Sequence, residues 1–402
     1  MRTLTQPQAG PANSPWMCAR FEMPWIATPQ PTEAATIEEL EAVFARLLRV
    51  QYVLAVSSGT AALEIALRAC RVGFGSEVIL SAYDWGAAAG AVLRIGAIPV
   101  LADIDPLFYT LDPSSIRGRL RERTRAIVAT HLFGHPADID AIGAFARPRG
   151  VRVIEDAAQA LGASLRGRPV GTMGDVGCFS LGRGKIVSAG EGGLLVTNDR
   201  SIYESAVAWS QHPVAQMKRL AKMGPLSDLA PNFRISPMAA ARALVELNQL
   251  ESRLEERRTN CERLGQALVK TPGIRPPATR EGAEHTWHRY SPTFVPKEIR
   301  GITRERFIDI LNGEGVPLFA DFIRRPLHLD PVFQKRGYGA PGWPWKQTGS
   351  RRRYRMGDCP VAEARCFELG LGLGSEWSGL PEGYLEQIVG CLERAKKRLV
   401  CA

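Results

Sequence analysis

The stretch CFSLGRGKIVSAGEGGLLVTND, Cys178 to Asp199, sets a glycine-rich loop between two short apolar runs and places a single lysine, Lys185, inside it. A glycine loop ending in Gly-Lys first suggests a nucleoside triphosphate site. That motif needs a glycine five positions before the Gly-Lys pair and a Ser or Thr just after it, for backbone contact with phosphate and for a magnesium ligand. Here those positions hold Phe179 and Ile186, so the reading fails on both counts. Two uses of Lys185 stay open from this stretch alone: a solvated charge on a loop between strands, or an amine held against a ligand.

Outward from this loop, the chain alternates between strand and helix patterns. Short β-branched runs stand at YVLAVSS, EVILSA, IPVLADI, RAIVATHL and VRVIEDAA, with helical stretches such as TAALEIALRAC and ADIDAIGAFARP between some of them. Such alternation predicts an α/β fold, a largely parallel sheet covered by helices on both faces. Ligands of such sheets bind at the carboxyl ends of the strands. From Ser236, an N-cap followed by Pro237, one long helical pattern runs to Lys270 and could connect two domains. Beyond it, HTWHRYSPTFV reads as a strand, TRERFIDILNGEG as a helix, Gly337 to Arg355 as a loop and GYLEQIVGCLERAKKRLV as a C-terminal amphipathic helix. The expected organisation is an N-terminal arm over residues 1–30, a large domain over 31–255 and a small α+β domain over 256–402.

The 402 residues suffice for two cores. A balance of 51 Lys and Arg against 41 Asp and Glu favours anionic small ligands over nucleic acid, because neither a basic tail nor an interleaved aromatic strip accompanies it. The eight cysteines show no zinc-type spacing, so no metal site is expected, and they read as thiols of a reducing compartment. No apolar run follows the N-terminus or approaches membrane-spanning length, which gives a cytoplasmic expectation.

Four motifs end strands and could converge. In SSGTAALEIAL a strand enters a helix through Ser58, Gly59 and Thr60, which fits a phosphate at the helix N-terminus or an ordinary cap. In VIEDAAQALGA a carboxylate, Asp156, closes an apolar strand and wants a cation, from the protein or from a ligand. In SAYDWGAAAG, Trp85 could stack on a flat ring or cap the core. The fourth is the opening stretch, with Ser180 five residues before Lys185. A ligand answering all four has a phosphate, a ring nitrogen that carries a proton and a carbonyl that condenses with an amine. Pyridoxal 5'-phosphate has all three.

The ordered set SSGTAALEIAL, EDAAQALGA, GDVGCFSLGRGKIVSAGEGG and NFRISPMAAA resembles the DegT/DnrJ/StrS family of pyridoxal-phosphate-dependent aminotransferases, from about residue 37 nearly to the C-terminus. The resemblance implies the aspartate aminotransferase type I fold, with a mostly parallel seven-stranded sheet and a smaller C-terminal domain. It implies that Lys185 holds the cofactor as a Schiff base and moves a proton, and that Asp156 pairs with the pyridinium nitrogen. Gln159 falls at the position near the phenolic oxygen, Trp85 at the stacking position, and Gly59, Thr60 and Ser180 at phosphate positions. Asn232 corresponds to an asparagine that reaches the phosphate from a neighbouring subunit, which implies a homodimer with a shared active site.

Some relatives carry histidine in place of the lysine and act as dehydratases, so Lys185 favours transamination. The form GKIVSAGEGG, with Glu191, looks closer to cyclitol aminotransferases and aminohydroxybenzoate synthases than to nucleotide-sugar enzymes, although Arg183 departs from both. Arg183 either binds an acidic group of the substrate or points to solvent. His328, in a Pro-Leu-His turn, and His135, where the family often has glutamine, are further substrate candidates. The implied function is transfer of an amino group from glutamate or glutamine to a keto sugar, cyclitol or related ring ketone, as in antibiotic or polysaccharide biosynthesis. Dehydration or aromatic-ring formation on the same scaffold, and a non-catalytic cofactor-binding regulator or partner, are the alternatives.

Overall fold

The five β-branched runs form strands in a computed structural model, which describes residues 33–221, 229, 231–299, 301–374 and 376–401. They are β1 Tyr52–Val56, β2 Glu77–Ser81, β3 Ile98–Ala102, β4 Thr124–Thr130 and β5 Arg152–Asp156. After a small hairpin, β6 Ser164–Leu165 and β7 Arg168–Pro169, the opening stretch supplies two more strands, β8 Val176–Ser180 and β9 Gly193–Thr197. Seven strands share one sheet in the order β1-β9-β8-β5-β4-β2-β3. Only β9 runs against its neighbours: β8 pairs with β5 in parallel, turns through the Lys185 loop, and returns as β9 between β8 and β1. The arm expected over residues 1–30 lies outside the described residues.

Along β1, alternate residues serve opposite cores. Leu54 and Val56 pack with α2 Gly59–Ala69, α3 Ala87–Arg94 and α6 Arg200–Ser210. Val53 and Ala55 pack with α1 Glu33–Leu48, α5 Ile139–Ala146 and α8 Pro237–Leu247. This period of two in a strand buried on both faces is what covering helices on each side require. Short polar caps set the helix starts: Ser58 Oγ accepts from Ala61 N at 3.1 Å, Ser236 Oγ from Ala239 N at 3.2 Å and Thr303 Oγ1 from Arg306 N at 3.2 Å.

Two expectations need correcting. The long pattern from Ser236 is not one helix but α8 followed, after a break at Asn248 and Gln249, by α9 Leu250–Val269. HTWHRYSPTFV is not a strand along its length; Thr293–Phe294 is the paired strand, and Tyr290 adds a single bridge to Leu373. Its first half is held in a turn because His285 Nδ1 accepts from Trp287 N at 2.8 Å, Trp287 takes a positive φ of 51°, and the two rings stack at 3.9 Å. Leu250 and Leu254 of α9 belong to a core of the sheet, whereas Cys261, Leu264 and Leu268 belong to a third core, closed by the helices Arg304–Gly313 and Tyr384–Cys401. Ile323, Phe333, Trp345, Tyr354, Cys359 and Cys366 come back from the C-terminal part to join the α2 side of the sheet.

Candidate active site

The carboxyl ends of β1, β2, β4, β5 and β8 enclose one side of a cavity of about 570 Å³, and residues 288–289 and 319–324 close the other. At one end stands the start of α2. The Ser58 cap takes the amide of Ala61, and Gly59 and Thr60 line the cavity ahead of it. A side chain at Gly59 would put its Cβ 2.8 Å from Cβ of Ser180, so glycine is what lets the β1 and β8 loops meet here. Ser180 Oγ accepts from Gly182 N at 3.3 Å and also lines this end. Two hydroxyl side chains and the positive end of a helix dipole make an anion-binding corner.

In the middle of the cavity Lys185 and Asp156 come together. Gly184 takes φ of 80°, a turn that non-glycine residues rarely adopt, and hands the chain to Lys185. Burial pushes the Lys185 amine below its ordinary value; the Asp156 charge works against that shift and Arg289 works with it. A lysine held this way offers more neutral amine for attack on a carbonyl at physiological pH. Asp156 is buried, which raises its carboxyl, while the amide of Ala158, Lys185 and His131 pull it back. Its Oδ1 accepts from Ala158 N at 3.0 Å, and Oδ2 has no donor among the described residues. A buried carboxylate oxygen left over in a cavity fits a protonated ring nitrogen better than it fits a core.

The ring position is equally bounded. Trp85 is 66% exposed, so it does not cap the core; it lines the cavity beside Ala87 and Asp84. Gln159 is steered by its Oε1, which accepts from Phe133 N at 2.8 Å, leaving the amide nitrogen of its side chain available within the cavity. A phosphate corner, a free carboxylate oxygen, an exposed indole and a low-shifted lysine within one cavity fit pyridoxal phosphate. Arg183 is exposed on the rim, near the exposed Glu191.

Three candidates do not line this cavity. Asn232 is exposed, its Oδ1 accepting from Arg234 N at 3.2 Å, on a segment that runs beside the end of β1 through the Val56–Arg234 bridge. His328 is wholly buried and its Nε2 meets Glu363 Oε1 at 2.7 Å. His135 stacks on Phe108 at 5.0 Å, its Nε2 accepts from Arg280 N at 3.0 Å, and burial lowers it to about 3, with Arg280 adding to the shift. Conversely, Asp84, Thr130, Phe133, His288, Arg289, Phe319, Asp321, Phe322 and Arg324 line the cavity without having been singled out from sequence. Asp84 could have been noticed beside Trp85; the residues from 288 onward carry no local pattern that would bring them to the sheet.

The profile of the DegT/DnrJ/EryC1/StrS aminotransferase family matches residues 27–350. The chain belongs to that family. It is therefore a pyridoxal-phosphate-dependent transaminase with the aspartate aminotransferase type I fold. Among relatives, an L-glutamine:2-deoxy-scyllo-inosose aminotransferase from Streptoalloteichus tenebrarius is 32% identical over 369 residues, covering 83% of each chain. A pleiotropic regulatory protein from Geobacillus stearothermophilus is 34% identical over 305 residues, 75% of this chain and 78% of its own. An aminotransferase structure from Psychrobacter cryohalolentis superposes with a TM-score of 0.80 at 27% identity, covering 91% of this chain and 92% of its own. No described helix is long and apolar enough to cross a membrane.

Proposed function

We propose that this aminotransferase moves an amino group from glutamine or glutamate to a keto group on a sugar, cyclitol or related ring, as a step in a biosynthetic pathway. The observation that carries the reading is the meeting of Lys185 and Asp156 in one cavity beside the anion-binding start of α2. The bound cofactor supplies the aldehyde that takes up the amine and the ring that stores the electron pair. Lys185 would hold the cofactor through its Nζ and take up and give back a proton on that nitrogen. Asp156 would hold a proton on the ring nitrogen, Trp85 would bound the ring's site, Gln159 would donate near the phenolic oxygen, and Gly59, Thr60 and Ser180 would hold the phosphate. Arg183, at the rim, meets an acidic group on an incoming molecule.

Exposed Asn232, beside the phosphate end of β1 but outside its own cavity, supports a homodimer in which each subunit completes the other's site. Closing the site between subunits shelters the reacting carbon from water. The enzyme works in the cytoplasm, with a large domain over 31–255 and a small one over 256–402. The test is single turnover. Holoenzyme mixed with L-glutamine or L-glutamate should convert its cofactor to the amine form, and a keto-inositol or keto sugar should convert it back with amine on the ring. Loss of water from the ring without net amine transfer would instead indicate dehydration; no spectral change with any donor would indicate the regulatory reading.

A further inference from the structure

Among the acids that line the cavity, Asp84 has no role from the family assignment. Asp84, just after β2, is 3% exposed and lines the cavity with Asp156. Its Oδ1 accepts from Trp85 N at 2.7 Å and its Oδ2 from the hydroxyl of Thr130. Thr130 is the register partner of Asp156 across β4 and β5, so the hydroxyl that holds Asp84 sits on the residue paired with Asp156. No Lys or Arg among the described residues forms an ion pair with Asp84. The other charged and titratable groups that share the cavity are Lys185, Arg183, Arg289, Arg324, Glu191, Asp321 and His288, with His131 behind β5 engaged by Glu155 at 2.9 Å, and Tyr83 turned away to donate to Asp321 at 2.6 Å. Burial and the Asp156 charge push the Asp84 carboxyl up to about 8, against the hydrogen bonds from Thr130 and Trp85. Two buried carboxyls that share one neighbourhood do not both ionise cheaply.

We propose that Asp84 is a positioning residue for the cofactor: in the cofactor-free protein its carboxyl keeps a proton in the neighbourhood of Asp156, and that proton leaves to solvent when a positively charged ring seats on Asp156. This rests on the pyridoxal phosphate reading above. Asp84 acts through Asp156: once ionised, it adds a second negative charge behind the ring and strengthens its hold on the ring proton.

On the proposal Asp84 carries its proton below about pH 8 in the cofactor-free protein and loses it on binding, so pyridoxal phosphate affinity gains an increment as pH rises toward about 8 that reaches about tenfold per pH unit for one linked proton. The experiment measures pyridoxal phosphate binding to the resolved full-length protein between pH 6 and 8. Proton release is counted by calorimetry in two buffers of different ionisation heat. Asp84→Asn should lose up to one released proton relative to the parent and flatten the affinity profile by the same amount. Subtracting the two profiles cancels the titrations of the ligand and of Lys185. Should Asp84→Asn fold poorly, Thr130→Val removes one donor that favours the charged form and should move the affinity rise to higher pH. Equal proton counts and equal slopes in parent and Asp84→Asn, or an unmoved profile in Thr130→Val, overturn the role of Asp84 while leaving the enzyme reading intact. A parent protein that binds no pyridoxal phosphate overturns the reading beneath it.

Discussion

Glu155 and Asp156 are neighbours on β5, both buried, and they are used in opposite ways. Glu155 receives four donors: His131 Nε2 at 2.9 Å and Gly171 N at 2.7 Å on one oxygen, Met173 N and Gly174 N at 2.6 Å each on the other. Because His131 Nδ1 accepts from Ala137 N, the proton of a neutral imidazole lies on Nε2 and points at Glu155. Every lone pair of Glu155 is committed to holding the turn at residues 171–174 and the strand end at His131. Asp156, one residue on and facing the other side of the sheet, receives a single amide and leaves its second oxygen open toward Lys185. A satisfied buried carboxylate stabilises the fold; an unsatisfied one in a cavity waits for a ligand.

The largest effect should follow removal of the cation on the open side. Lys185→Ala should abolish measurable transamination, a loss beyond the roughly 10²–10⁴-fold of a missing acid-base group because the covalent attachment goes too. Its melting temperature without cofactor should stay close to the parent's, since no hydrogen bond or ion pair among the described residues runs to its amine and the acid beside it, Asp156, can take up a proton instead. Next, the neighbours should separate cleanly. Asp156→Asn should cost on the order of 10²-fold or more in turnover and little in folding. Glu155→Ala should cost on the order of 3–5 kcal/mol by denaturant unfolding of the cofactor-free protein, since it strands buried donors. Equal effects of the two substitutions on stability would break the comparison.

A smaller effect tests the electrostatics at the same place. Arg289 helps hold the Lys185 amine below its ordinary value. In Arg289→Leu the amine should regain its proton more readily, so the pH at which the empty enzyme attaches pyridoxal phosphate at half its maximal rate should move upward. A downward move would contradict the assignment. Smallest of all should be His328→Gln. Its partner Glu363 also accepts from Gly357 N at 2.8 Å and 2.9 Å, so the histidine secures a turn, and the KM for the ring ketone should be unchanged while stability falls.

The same contrast explains what the sequence disclosed. Five of the sheet's seven strands were legible as β-branched runs, the other two as the apolar runs flanking the Lys185 loop, and the site was legible where a strand ends in an unexpected residue: Asp156, Lys185, or the Ser58–Thr60 turn. Glu155 and Asp156 look alike in sequence, because their difference lies in donors supplied by residues 131 and 171–174. The turn at His285, closed by a side-chain-to-backbone bond, hid inside a strand-like pattern, and with it went His288 and Arg289 of the cavity wall. His328 and His135 looked like ligands because a lone histidine carries no sign of its burial.

The bond between cofactor and Lys185 is the most direct point to test. Holoenzyme reduced with borohydride, digested and mapped by mass spectrometry should carry the pyridoxyl group on Lys185 and on no other lysine. A pyridoxyl group on a different lysine, or an unlabelled chain that still transfers amine, would contradict it.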